Sequence, residues 1–182
     1  MSWIVLGVVT VALLWAVAVY NGLVRRKNMV AEAWSGIDTQ LKRRADLIPN
    51  LVETVKGYAG HERTTFDELA RLRSQGEGQA DPAQRAQTEA AITAAIGKVM
   101  AVAEAYPELK ASENFKMLQS DLSGIEDQIQ MARRYYNATV RDYNVTIGQF
   151  PSNLIAGMGG FTPSPFFQAD EPDRAVPKVS FS

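Results

Sequence analysis

The 182-residue chain contains no cysteine and one histidine, His61. Without thiols there are no disulfides and no cysteine for lipid attachment, so lipoprotein anchoring is excluded. His61-Glu62 opens like a zinc-protease helix, but that signature needs a second histidine four residues on, where this chain has Thr65. No metal and no other cofactor is expected, and His61 reads as a helix-surface or bundle-edge residue. No segment shows convincing strand alternation, and no glycine-rich phosphate loop follows a strand. A strong charge bias is also missing: the net charge is −1, and 19 basic residues are interspersed with 20 acidic ones. Nucleic-acid binding needs clustered positive charge along a stripe, so no such partner is expected.

The most informative absence is of charge between Ser2 and Tyr20 (SWIVLGVVTVALLWAVAVY). Nineteen residues at 1.5 Å each make a helix of about 28 Å, close to the ~30 Å hydrocarbon thickness of a bilayer. Trp3 and Tyr20 lie near the two ends, where amphipathic rings favour the headgroup boundary. Arg25, Arg26 and Lys27 follow and complete a set of membrane-interface anchors. Ala16-Val17-Ala18 resembles a small-x-small cleavage pattern, but no basic side chain precedes the apolar run, and the run exceeds the usual signal-peptide core. A retained single-pass anchor is expected. Because the basic residues, including Lys42, Arg43 and Arg44, all follow the span, the bulk of the chain is expected on the cytoplasmic side of a bacterial inner membrane with a short N-terminus outside. The more basic half of the chain is also the membrane-proximal one, which suits an anionic inner leaflet.

Beyond the anchor the pattern is helical. Phe115, Leu118, Leu122, Ile125, Ile129, Ala132, Tyr136, Thr139, Tyr143, Ile147 and Phe150 recur in steps near three and four. Ser112 as N-cap and Pro151 as stop predict a helix of roughly 37 residues, about 55 Å long, packing in a coiled coil or an elongated bundle. A second stripe runs from Leu23 through Trp34, Leu41, Val55 and Phe66 to Leu72 without a strong corner signal. Pro49 interrupts it, so the helix either kinks there or restarts with Asp46 as N-cap. After a linker from Ser74 to Asp81, Asp81-Pro82 predicts the start of a third, alanine-rich helix reaching Tyr106.

Several stretches together carry a resemblance: Tyr20-Asn21-Gly22-Leu23-Val24, AWSGIDTQLKRRADLIPNLVETVKGYAGHE from Ala33, EAYPELKASENF from Glu104, RRYYNATVRDYN from Arg133 and FPSNLIAGM from Phe150. Over nearly everything from the anchor to Phe167 the chain resembles the LemA family. One departure is Gly159-Gly160-Phe161, where a bulky residue more usually precedes the Gly-Phe. The resemblance implies a bacterial membrane protein with one span and a cytoplasmic antiparallel helical domain, with relatives at magnetosome membranes and membrane proteases among neighbours. It implies no reaction. The expected architecture is all-α: an N-terminal transmembrane anchor (1–22), an elongated antiparallel bundle of long helices (23–167) and a C-terminal tail (168–182).

Lys42, Arg43 and Arg44 with Asp46 form a candidate partner or lipid patch, against the commoner reading of solvated charges with partners four residues away. Asp46, Pro49 and Asn50 read first as shaping a helix break. Tyr135, Tyr136 and Tyr143 read as seam residues whose hydroxyls reach polar edges. The glycosylation matches at Asn137 and Asn144 fall inside the long helix and read as structural polar positions. Glycines and prolines break the chain after Pro151, so Phe161, Phe166 and Phe167 need cover from the bundle end, a neighbouring subunit or the membrane surface. Ala12/Ala16 and Ala18/Gly22 permit close packing of spans. The leading function is a self-associating, non-enzymatic membrane scaffold that organises membrane or recruits partners. The alternative is an adaptor for a membrane protease or envelope-stress system. A third reading, an enzyme using Glu104 and Glu108 as paired carboxylates on one helical face, needs a concave pocket.

Overall fold

The computed structural model describes residues 1–168, so the predicted tail, apart from Gln168, lies outside the described residues. All regular structure among them is helical: α1 (Ser2–Lys56), α2 (Arg63–Glu77), α3 (Pro82–Glu104), α4 (Pro107–Ala111), α5 (Glu113–Gly148) and α6 (Ser152–Met158). They form two compact units, one of Met1–Gln40 with Asp127–Phe166, the other of Leu41–Glu126 with Phe167 and Gln168.

The second unit holds the larger apolar core. Ile48, Leu51 and Val55 of α1 meet Phe66, Leu69 and Leu72 of α2, Ile92, Ala95 and Val99 of α3, Leu109 of α4, and Phe115 and Leu122 of α5. Asp81 caps α3 by accepting from the Gln84 N–H at 2.9 Å, with Pro82 at the first helical position as its spacing predicts. Two boundaries differ from expectation. The second stripe does not run unbroken to Leu72: α1 ends at Lys56 and α2 starts at Arg63. Gly57 and Gly60 lie in that connection, too far apart to announce a corner by themselves. Conversely, Ser74–Glu77 belongs to α2 rather than to a linker. Gly76 is buried there, and a Cβ on it would lie 3.4 Å from Glu89 Oε1 and 3.5 Å from Arg85 Cζ. These are ordinary van der Waals distances, so Gly76 marks where α2 packs against the Arg85 and Glu89 side chains of α3.

Pro49 neither ends nor restarts α1. Proline lacks the N–H that would bond the carbonyl four residues back, leaving the Ala45 oxygen without its helical donor. Arg73 Nε, on α2, donates to that oxygen at 2.9 Å. A side-chain donor thus replaces the missing rung, while the same guanidinium pairs with Glu77 at 3.1 Å. Arg73→Met should cost about 1–2 kcal/mol by leaving a part-buried carbonyl unsatisfied. In a Pro49→Ala background, where the backbone N–H returns, the same change should cost measurably less; a double-mutant cycle by chemical denaturation checks this coupling.

In the first unit, α1 buries Leu23, Val30, Ala33 and Ile37, and α5 buries Ile129, Tyr136, Val140, Tyr143 and Ile147. Each set has helical spacing, so each helix presents one stripe. Trp34 and Tyr136 bring their ring centroids to 5.6 Å. The irregular chain after α6 is held by α5 side chains. Tyr136 donates to Pro165 O at 2.8 Å and Tyr143 to Thr162 O at 3.0 Å. Asn144 pairs doubly with Ser164, donating to its carbonyl and accepting from its N–H, both at 2.9 Å. Irregular backbone thereby finds hydrogen bonds on a helix surface. Burial pushes the Tyr143 phenol above its usual 10.0, so the hydroxyl stays protonated and donating at neutral pH. A raised folded-state value means this contribution is whole below about pH 10 and fades only as alkali titrates the phenol.

Candidate functional site

The basic run at 42–44 divides by helix geometry. Lys42, Arg43 and Asp46 are exposed, whereas Arg44 retains 2% of its surface and points into the second unit. Arg44 is therefore corrected from surface-patch member to core residue. Leu41, Arg44, Ala45 and Ile48 share the buried stripe of α1, and on that face a cation requires partners. One terminal nitrogen pairs with Glu89 Oε2 and bonds the Glu89 carbonyl at 3.2 Å. The other donates to Glu126 Oε2 at 2.7 Å and to Thr93 Oγ1 at 2.8 Å. Arg85 Nε lies 2.7 Å from the second oxygen of Glu89 and is equally buried.

Two guanidinium and two carboxylate groups thus meet across α1, α3 and α5. Their charges balance, so the cluster has no surplus to attract an ion; its forked geometry fixes how the three helices meet. Beside it runs a groove of about 250 Å³ lined by Ile96, Met100 and Leu122 together with Arg44 and Glu126. That is below the size typical of small-molecule sites. The paired-carboxylate arrangement is not formed: Glu104 ends α3 and Glu108 lies on α4, because Pro107 disfavours helix at Tyr106. His61 is exposed in the turn before α2, and among the described residues no cluster of three His, Asp or Glu is placed to hold a metal. Glu89, Glu126, Arg73 and Arg85 escaped the sequence reading. Their only signal was charge on otherwise apolar or alanine-rich faces.

The other site is the N-terminal part of α1. One stretch of this helix is long and apolar enough to cross a membrane, and none of it is buried by protein. Trp3 keeps 85% of its surface and Tyr20 45%, while Arg25, Arg26 and Lys27 are all exposed. From Leu23 onward the same helix has a buried face. Tyr20 meets Phe161 edge-on with centroids 5.5 Å apart, and Lys27 Nζ stands 5.9 Å from that ring. The unusual Gly159 explains how Phe161 reaches them: a Cβ there would sit 2.6 Å from the phenylalanine ring. Gly160 follows with φ +68, and the Phe161 N–H bonds the Ala156 carbonyl at 3.0 Å, closing α6 with a left-handed glycine cap. Tyr136 and Tyr143 are buried, but Tyr135 is exposed.

Residues 33–181 match the model of the LemA family. Among curated proteins, Magnetosome protein MamQ 2 of Paramagnetospirillum magneticum is 25% identical over 187 residues, covering 88% of this chain and 68% of that protein. Protein LemA of Metamycoplasma hominis is 28% identical over 155 residues, covering 85% and 71%. Magnetosome protein MamQ of Magnetospirillum gryphiswaldense is 23% identical, with 88% and 68% covered.

Proposed function

The chain belongs to the LemA family, and from that premise we propose that it is a single-pass membrane scaffold without enzymatic activity, which self-associates to organise membrane or recruit partners. The observation that carries this reading is the continuity of α1. An uncharged, protein-free segment passes without interruption into residues packed at Leu23, Val30, Ala33 and Ile37, so the anchor and the folded unit share one helix. A domain built on its own anchor is fixed in orientation at the membrane, as a scaffold requires and a diffusing catalyst does not. The names of the MamQ relatives, which place them at magnetosomes, support a task at a membrane.

The first unit reads as an antiparallel helix pair. Tyr136 of α5 lies at Trp34, whereas Tyr143, farther along, holds Thr162, whose neighbour Phe161 lies at Tyr20 and Lys27. Positive charge at Arg25, Arg26 and Lys27 favours a cytoplasmic domain on a bacterial inner membrane. The small faces Ala12/Ala16 and Ala18/Gly22 are exposed or half-exposed, open to a second span. Because the chain has no native thiol, Ala16→Cys and Ala18→Cys test self-association directly in native membranes. A disulfide-linked dimer at one position and not the other is expected. Monomer alone at both, and likewise at Ala12→Cys, would overturn self-association.

A further inference from the structure

The chain has two long stretches free of Asp, Glu, Lys and Arg: one ends at Val24, and the other runs from Tyr143 to Ala169. They lie far apart in sequence, yet Phe161 of the second rests on Tyr20 of the first. Between α5 and that contact the second stretch exposes large apolar side chains. Phe150 retains 78% of its surface, Leu154 57% and Met158 87%. These residues are spaced by four, and Leu154 and Met158 occupy one face of α6. The buried side of the tip is small: Ala156 packs inward, and Gly159 and Gly160 turn the chain back.

We propose that the tip from Phe150 to Phe161 is a second membrane contact, its exposed Phe150, Leu154 and Met158 seated in the headgroup and upper acyl region of the bilayer that α1 crosses. The inference rests on the span reading above, and three features fix the occupant as lipid. First, Phe161 is attached to the span's boundary, because Tyr20 marks its end and Lys27 is where a snorkelling cation belongs. Second, helix arithmetic places the end of α5 at that same level. From Trp34 back to Gly22 is twelve residues, as is Tyr136 forward to Gly148, and each covers about 18 Å at 1.5 Å per residue. Third, the tip carries no ionisable side chain, so its insertion strands no charge. The hydrogen bonds from Tyr136, Tyr143 and Asn144 hold the returning backbone, leaving few polar groups of the strap to lose water. The anchor then works as a two-point mount: α1 sets position, and the tip resists tilt and rotation about the α1 axis.

The test uses the full-length chain in vesicles of phosphatidylethanolamine and phosphatidylglycerol, with one nitroxide label at a time on Leu13→Cys, Leu154→Cys, Met158→Cys or Ser74→Cys. Collision with dissolved oxygen and with a water-soluble nickel chelate reports depth. Met158→Cys and Leu154→Cys should show oxygen collisions exceeding chelate collisions, at a depth shallower than Leu13→Cys, while Ser74→Cys reads as aqueous. If both tip labels match Ser74→Cys while Leu13→Cys stays in lipid, the tip proposal is overturned and the anchor stands. If Leu13→Cys is itself aqueous, the span reading fails and the tip proposal with it. Tip labels shielded from both reagents would mean that protein covers the tip, which also overturns the proposal.

Discussion

Arg44→Met should lower the stability of the folded chain by about 3–5 kcal/mol, the usual cost of removing one partner from a buried, hydrogen-bonded ion pair. The substitution removes donors to Glu89 Oε2, the Glu89 carbonyl, Glu126 and Thr93 together; Glu89 is 5% exposed, so water cannot replace the donor to its carboxylate, whereas Glu126 keeps 33% of its side-chain surface and is rehydrated in part. Arg85 remains on the other carboxylate oxygen, which keeps the loss within that range rather than above it. Arg44→Lys should recover only part of the loss, since a single ammonium cannot reach from Glu89 to Glu126 as the two-armed fork does. Lys42→Met, two residues away and exposed, is the matched control and should shift stability by no more than about 0.5 kcal/mol. Pulse proteolysis across a urea series measures all three. Equal effects for Arg44→Met and Lys42→Met would contradict a stabilising core cluster.

The second large effect concerns the span. Val9→Arg with Leu13→Arg places two cations near its middle, on side chains now 49% and 62% exposed with no protein partner. Each arginine at the centre of a transmembrane helix costs roughly 2.5–3.5 kcal/mol on the insertion scale, against a few tenths contributed by each valine or leucine. The pair should therefore oppose insertion by about 5–7 kcal/mol. The double variant is expected to leave the carbonate-washed membrane fraction, whereas Val9→Leu with Leu13→Ile should remain in it. Retention of the arginine variant would mean that something other than this segment holds the protein at the membrane.

What could be read in the sequence was what is locally encoded. The Ser2–Tyr20 stretch, the Asp81-Pro82 helix start and the stripe of α5 as far as Ile147 each depend on residues within a few positions of one another, and each has its counterpart in the fold; Phe150, the last expected member of that stripe, lies beyond the helix and is exposed. The position of Arg44 was not legible, because its burial is set by Glu89 and Glu126, 45 and 82 residues away. Beside Lys42 and Arg43 it looks like part of a solvated run. The same distance hid the Arg73 bond to Ala45, which supplies a donor in place of the one that Pro49 lacks. The family pattern around Asp46, Pro49 and Asn50 marked the right place, but the partner that mends the break lies on α2. The break between α1 and α2 was missed for another reason: Gly57 and Gly60 are each tolerable in a helix, and the apolar period carries on across them to Phe66. At the tip, departure from the usual bulky residue at Gly159 was visible, while its cause, a phenylalanine ring folded back onto that backbone, is three-dimensional.

The central claim is that the membrane anchor and the folded unit are parts of one rigid helix. A nitroxide scan of single cysteines from Leu14 to Gln40, in the full-length chain in vesicles, tests it most directly. The account predicts lipid-like accessibility through Val19, an interface at Tyr20 to Gly22, and then a 3.6-residue oscillation with minima at Leu23, Val30, Ala33 and Ile37, with low mobility throughout. A mobile, non-periodic stretch at Asn21 to Val24, or aqueous accessibility before Tyr20, would contradict it.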